Sequence, residues 1–404
     1  MSVLAFQGGR VVTGIGEVFD PGTVLVREGK IEAVGSVPDV TVPAGAETVD
    51  TTGRWVLPGF VDPHTHLGVH EDGEGPAGAD GSELSDPDMS AVRAIDAVNI
   101  EDRAFRDALA GGVTTTVVKP GSGNPIGGTS VAIKTWGGRT VDEQVVKHPV
   151  SVKSALGENP KTTWGGRNQL PRTRMGIALV IRRALIAAGE YAHKRDAAAA
   201  AGESFTRDLG KEVLAAALAG ELTWDQHVHR HDDIATALRL ADEFGLRIVL
   251  NHGTEAHKLA AELAERDVPV IFGPVLASRG KVEAREASVS NLVALARAGV
   301  RIALCTDHPV VPIDALALQA AVAVRAGLVW DQAIAAISSS AAAIAGLSDR
   351  VGALTPGLDG DVVVWSGDPL EASSAAEAVY IEGREVFRRT GEGVFVADRW
   401  AVDA

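Results

Sequence analysis

Between residues 55 and 305 the chain repeats one alternation, a short apolar run with strand character followed by a stretch of helical periodicity. The runs are Trp55–His66, Val113–Lys119, Ser130–Thr135, Val150–Leu156, Leu222–His229, Arg247–His252, Val268–Phe272 and Val300–Cys305. Helical patterns such as Glu101–Ala110, Asp232–Phe244, Glu255–Glu265 and Val289–Ala298 lie between most of them. Strands alternating with helices argue for an α/β fold with a parallel sheet and crossover helices. Eight such units fit a (β/α)8 TIM barrel. An open doubly wound sheet would carry a Gly-rich loop opening its first helix, and nothing in the sequence reads as a GxGxxG that opens a helix.

The two ends follow a different pattern. Arg10–Thr13, Thr23–Arg27, Lys30–Val34 and Glu47–Val49 are short runs of β-branched residues punctuated by Gly and Pro, with a hairpin tip at Glu28-Gly29-Lys30. Asp361–Trp365, Ala378–Ile381, a Glu382-Gly383 turn and Glu385–Arg388 repeat that pattern at the C-terminus. Both ends are therefore expected to build one small sheet domain, residues 1–57 and 353–404, around a central domain of residues 58–352.

Composition narrows the function classes. The net charge is −15 and no basic stripe is visible, so a nucleic-acid partner is not expected. The N-terminus lacks the pattern of a signal peptide, and no apolar run approaches the ~20 residues that span a bilayer. The single cysteine, Cys305, precludes an internal disulfide and fits a reducing cytoplasm.

A barrel of this kind carries its active site at the C-terminal strand ends. Strand one ends in His64-Thr65-His66, strand five in His227-Val228-His229, strand six in Asn251-His252-Gly253 and strand eight in Thr306-Asp307-His308-Pro309. Residues two apart on a strand face the same way, roughly 7 Å apart, and a zinc–imidazole bond is about 2.0–2.1 Å. One ion can therefore sit between His64 and His66. Six of the eleven histidines fall at these four ends. Histidine and carboxylate ligands without cysteine point to a catalytic site, not a closed structural one.

The run Leu57-Pro58-Gly59-Phe60-Val61-Asp62-Pro63-His64-Thr65-His66 resembles the amidohydrolase superfamily, most closely its imidazolonepropionase-related branch. Ala110-Gly111-Gly112-Val113-Thr114-Thr115, Asn251-His252-Gly253, Thr306-Asp307-His308-Pro309 and Leu354-Thr355-Pro356-Gly357 with Gly360-Asp361-Val362-Val363-Val364 extend the likeness over nearly the whole length. The resemblance implies a distorted barrel with a small β-sandwich built from both termini. It also implies one or two divalent metal ions, zinc first, with Mn2+ or Fe2+ as alternatives, and hydrolysis of a C–N bond in a small molecule. Position by position, it implies His64, His66 and Asp307 on one ion, and His227 and His252 on the second. His227 and His229 face the same way, so either could ligate; with the family's ligand at the first, His229 becomes a catalytic or substrate contact, and Asp307 the proton shuttle. Asn251 departs from relatives, where a glutamate commonly stands, and Ser338-Ser339-Ser340-Ala341-Ala342-Ala343 replaces a usual Thr-x-Asn-Pro-Ala.

The strand-four ligand has two candidates. Strand parity turns Ser151, Lys153 and Ala155 toward the interior, and relatives use a carbamylated lysine in a context like Ser151-Val152-Lys153-Ser154. Glu158 is the rival, since other members use a glutamate there. For substrate binding, the candidates are Asn124 in the Gly-rich loop Pro120–Gly128, and Arg174 and Arg230 for a carboxylate. The loop Gly68–Met89 could form a lid. The resulting expectation is an amidohydrolase on a cyclic or peptide-like amide. A dipeptidase or carboxypeptidase-type hydrolase stands next, then a heterocycle deaminase, with a non-catalytic scaffold last. A homo-oligomer is compatible with the family.

Overall fold

A computed structural model describes residues 3–391 and 393–398. The N-terminal strands are β1 (Val3–Val12), β2 (Val18–Arg27), β3 (Lys30–Ser36), β4 (Glu47–Asp50) and β5 (Trp55–Pro58). β1, β2 and β3 form an antiparallel meander, while β4 and β5 both run parallel to β1. The β2–β3 hairpin turns through Glu28 and Gly29 with Arg27 opposite Lys30, and both turn residues have positive φ, 52° and 76°. That is the two-residue turn whose twist matches the strands.

The chain then enters ten further strands. They are β6 (Phe60–Thr65), β7 (Val113–Val118), β8 (Ile126–Thr129), β9 (Val131–Lys134), β10 (Val145–Lys147), β11 (Ser151–Ala155), β12 (Thr223–Val228), β13 (Ile248–His252), β14 (Val270–Phe272) and β15 (Ile302–Leu304). They form a four-stranded sheet, β10-β9-β7-β6, and a six-stranded sheet, β15-β14-β13-β12-β11-β8. β11 to β15 are all parallel, as are β6 and β7. At one junction Ser130 N–H donates to the Ser151 carbonyl at 3.0 Å. At the other, Asp307 N–H donates to the His64 carbonyl at 3.1 Å and His66 N–H to the His308 carbonyl at 2.8 Å.

The third expected strand differs from its neighbours. It is split at Ser130, and both pieces run antiparallel, β9 to β7 and β8 to β11. A parallel return needs a crossover of a dozen or more residues, usually a helix, and none lies between Val118 and Ile126. Gly128 makes the reversal feasible. Its φ is +110°, and a Cβ there would lie 2.4 Å from the Val92 carbonyl oxygen.

One apolar layer gathers Val61, Val117, Ala132, Val249, Ile271 and Ala303 from six of these strands against Ala341 and Ala342. Those alanines lie on the short helix Ser339–Ile344. The Ala197–Ala201 run ends the long helix Arg174–Ala201, closed by Gly202 in the left-handed region.

The C-terminal strands β16 (Val362–Trp365), β17 (Ala376–Ile381), β18 (Arg384–Thr390) and β19 (Gly393–Val396) join the N-terminal ones in a single nine-stranded sheet. β5 lies between β1 and β16. The Glu382-Gly383 turn repeats the two positive φ values of Glu28-Gly29. Gly360 ties the two hairpin tips together, its N–H donating to the Gly29 carbonyl and its carbonyl accepting from Gly383 N–H.

A buried charge knot fastens this sheet to the middle of the chain. The fully buried Asp359 carboxylate accepts from Lys30 (2.5 Å), Lys134 (2.9 Å) and Arg350 (2.9 Å), and Lys134 also donates to Asp361 at 2.7 Å. Burial pushes the Asp359 carboxyl upward, but Arg350, Lys134 and Lys30 more than offset it and hold it below the usual range. Removing one partner of a buried pair strands the others, so Asp359→Asn is expected to cost about 3–5 kcal/mol at pH 7 by urea denaturation. A depressed carboxyl pKa contributes stability above the unfolded value of about 4 and loses it as pH falls. The difference between the two proteins should therefore narrow in acid.

Candidate metal centre

Strand ends deliver the polar groups to one place. His64 lies in β6, His66 just beyond it, Lys153 in β11, His227 in β12 with His229 just past it, His252 at the end of β13, and Asp307 three residues beyond β15. Two groups form. His64 Nε2 and His66 Nε2 each lie 3.3 Å from Asp307 Oδ1. The ligand atoms of His227, His229 and His252 lie within 4.8 Å of one another, as do those of the first group. The His64 and His252 rings, 5.0 Å apart, join the two groups. The fully buried Lys153 places Nζ 3.2 Å from His64 Nε2. His252 and Asp307 both have positive φ, 68° and 53°. Non-glycine residues in that region are uncommon and concentrate at functional sites.

The hydrogen bonds behind the rings decide which nitrogens face the centre. His66 Nδ1–H donates to the Lys119 carbonyl at 2.8 Å, and His252 Nδ1–H to the Gly273 carbonyl at 2.8 Å. His64 Nδ1–H donates to Asn251 Oδ1 at 2.7 Å. Each of these three rings therefore commits Nδ1 to the protein and leaves Nε2, the nitrogen that can ligate a metal, on the inner side. His229 pairs Nδ1 with Thr254 Oγ1 at 2.7 Å, and its buried Nε2 has no hydrogen-bond partner among the described residues. His227 bonds Ser122 Oγ at 2.9 Å. Burial first, and neighbouring cationic groups second, hold His64, His227 and His229 well below the ordinary imidazole range. Burial also lowers His252, to about 4. Neutral imidazoles with inward lone pairs beside a carboxylate suit a divalent ion.

Two side chains at the centre have shifted protonation equilibria. Burial depresses Lys153 to about 8, against the pull of Asp225 and with the push of Lys119. Burial would raise Asp307, but His252, His66 and Lys153 overcome it and hold the carboxyl below the usual range. Glu158, the rival on strand four, starts the helix Glu158–Gly165. Its N–H donates to Glu283, and it stands outside both ligand groups.

The candidate substrate residues have protein partners. Asn124 donates to the Glu83 carbonyl at 2.6 Å and accepts from Trp164 Nε1 at 3.1 Å. Arg174 grips Asp233 and Glu283, each at 2.9 Å, and Arg230 pairs with Asp232 at 2.8 Å. Around the Gly-rich loop, Gly121 N–H donates to the Gly81 carbonyl at 2.6 Å and Met89 N–H to the Ile126 carbonyl at 2.9 Å. These bonds pin the loop Gly68–Met89 against it.

A network of buried polar groups lies beneath the rings. Lys119, itself buried, donates to Asp225 and, at 3.0 Å, to Asn251 Oδ1. Asn251 Nδ2 donates to Asp225, as does Ser151 Oγ at 3.3 Å. Lys119 stands at the end of the second expected strand, which was the only signal available for it. Ser122, Asn159 and Lys281 at the mouth were equally unmarked. A cavity of about 450 Å3 reaches His252 and runs beneath residues 273–279 and 287–289, a size that admits a small molecule.

The amidohydrolase family profile matches residues 179–387, more than half of the chain. The chain belongs to the amidohydrolase family. An imidazolonepropionase from Acidiphilium cryptum is 30% identical over 89% of this chain and 90% of its own length. Amidohydrolase tasK from Hapsidospora irregularis is also 30% identical, over 93% of this chain, which spans only 41% of that relative. A solved amidohydrolase from Thermotoga maritima MSB8 is 43% identical and superposes with a TM-score of 0.93, covering 96% of this chain and all of that one. This amidohydrolase is thus related to the imidazolonepropionases and is a hydrolase acting on carbon–nitrogen bonds. No helix among the described residues is long and apolar enough to cross a membrane.

Asn251 links the buried charges to the His64 ring. Asn251→Ala is expected to weaken divalent-metal binding roughly 10- to 100-fold, measured by competition with a chromogenic chelator.

Proposed function

We propose that this amidohydrolase uses one or two divalent ions, zinc first, to cleave the C–N bond of a small cyclic or peptide-like amide. The observation that carries the reading is the facing pair of ligand groups, with Lys153 Nζ 3.2 Å from His64 Nε2 and Asp307 3.3 Å from both His64 and His66. His64, His66 and Asp307 would hold one ion, and His227 and His252 the second. Lys153, as a carbamate, would bridge them. A primary amine must be neutral to add CO2, and a pKa near 8 leaves a useful fraction neutral at physiological pH. We read the two central sheets as one barrel whose third strand is reversed, within residues 58–352. Residues 1–57 and 353–404 then form the small sandwich.

When bound, a divalent ion supplies Lewis acidity, lowering the pKa of water toward ~7 and polarising the scissile carbonyl. The chain does the rest. Asp307, ionised at neutral pH, accepts the proton of the attacking water and delivers it to the leaving nitrogen. His229, with its unpartnered Nε2, orients the substrate at that face. Burial of the whole group strengthens these electrostatic interactions. Relatives named imidazolonepropionase favour a cyclic amide, and the engagement of Arg174 and Arg230 with carboxylates weighs against a dipeptidase that would need them.

Asp307→Asn is expected to lower turnover per bound ion roughly 10²–10⁴-fold, measured on a panel of hydantoins, imidazolones and dipeptides with parallel elemental analysis to count the ions retained. Retained turnover would sink the proton-shuttle role. Protein grown with 13C-bicarbonate should show a carbamate carbon signal that Lys153→Ala removes together with metal. A bare lysine, with the ion lost instead in Glu158→Gln, would overturn the bridge.

A further inference from the structure

A lysine ammonium stands at the mouth of this centre. Lys281 lies between β14 and the helix Val289–Arg297, and its Nζ donates to Asn159 Oδ1 at 3.1 Å. Asn159 Nδ2 in turn lies 3.4 Å from His227 Nε2. The lysine is thus two short contacts from the ligand groups. Among the described residues no carboxylate comes within ion-pair distance of it; Glu283, Asp307 and Glu158 attract it from farther away, and Glu283 turns Oε1 to Glu158 N–H and Arg174.

The position is built, not incidental. Glu283, two residues on, is itself buried and is gripped by Arg174, which also holds Asp233. Glu283 also accepts from Glu158 N–H, which fixes the segment carrying Lys281 against the start of the helix carrying Asn159. A lysine on an ordinary loop would extend its ammonium into water. This one is half-buried, with one neutral acceptor for three N–H donors. A half-buried ammonium with donors to spare beside the ligand groups suits a charge-assisted bond to an anion.

We propose that Lys281, oriented by Asn159, binds a carboxylate on the substrate and so selects amides that carry an acid group. This specificity role rests on the amidohydrolase reading of the same site. It also gives Arg174 an indirect part: not the carboxylate anchor itself, but the residue that positions the loop bearing it.

The test is calorimetric binding of N-acetylated ω-amino acids of increasing chain length, each beside its uncharged carboxamide, to the metal-loaded protein. Wild type should favour the acid of best length over its carboxamide roughly 10- to 100-fold, the range of a charge-assisted hydrogen bond. Lys281→Met should remove that preference and Lys281→Arg restore most of it, with metal content and melting temperature unchanged. A preference that survives in Lys281→Met, or equal binding of acid and carboxamide by wild type, overturns the proposal. Failure of the underlying reading looks different: no stoichiometric metal, or turnover unaffected by Asp307→Asn, while the acid preference still depends on Lys281.

Discussion

Two lysines buried side by side beneath a ring of histidines are the constraint on which the site depends. Lys119 and Lys153 are both almost wholly excluded from water, and two adjacent buried ammonium groups are prohibitively costly without compensation. Asp225 answers one of them. It accepts from Lys119, Asn251 and Ser151, leaving Lys153 with no ion-pair partner among the described residues and a depressed pKa. The same network turns Asn251 so that its oxygen receives the His64 ring. One arrangement of charges therefore sets the ring orientation and the reactivity of the amine together.

The terminal sheet supports this centre from the opposite side. Gly59, directly before β6, donates its N–H to the Asp361 carbonyl at 3.0 Å. Asp361 and Asp359 share Lys134 from β9. The strand that delivers His64 and His66 is thus anchored at its start by residues three hundred positions away in sequence. Displacement of the C-terminal strands would be felt at the first ligand pair.

Much of the centre was legible because its logic is local. His64, His66, His227, His229, His252 and Asp307 all sit at the ends of apolar runs, and strand ends on one side of such a sheet converge. Period-2 alternation placed Lys153 with them. The two hairpin tips were legible for a similar reason, since Glu-Gly between β-branched runs satisfies the positive φ that the turn demands. The reversed third strand was not legible. Its run of Val, Ile and Thr is indifferent to direction, and only the short connection and Gly128 betray the reversal.

Side chains whose setting depends on distant partners were not legible for a common reason. Arg174, Arg230 and Asn124 looked available because a sequence shows a guanidinium or amide without showing what meets it; the fold supplies Asp233, Asp232 and the Glu83 carbonyl. Lys119 and Lys281 went unremarked because their meaning lies in partners the fold supplies, Asp225 and Asn159. The sequence by itself determined the element order, the sheet made from both ends and the identity of the histidine and aspartate cluster, since strand alternation and turn chemistry act between near neighbours. Tertiary structure alone decided strand direction at the third position, the tautomers of the rings and which charges stay unpaired. Those depend on burial and on contacts between residues a hundred or more positions apart.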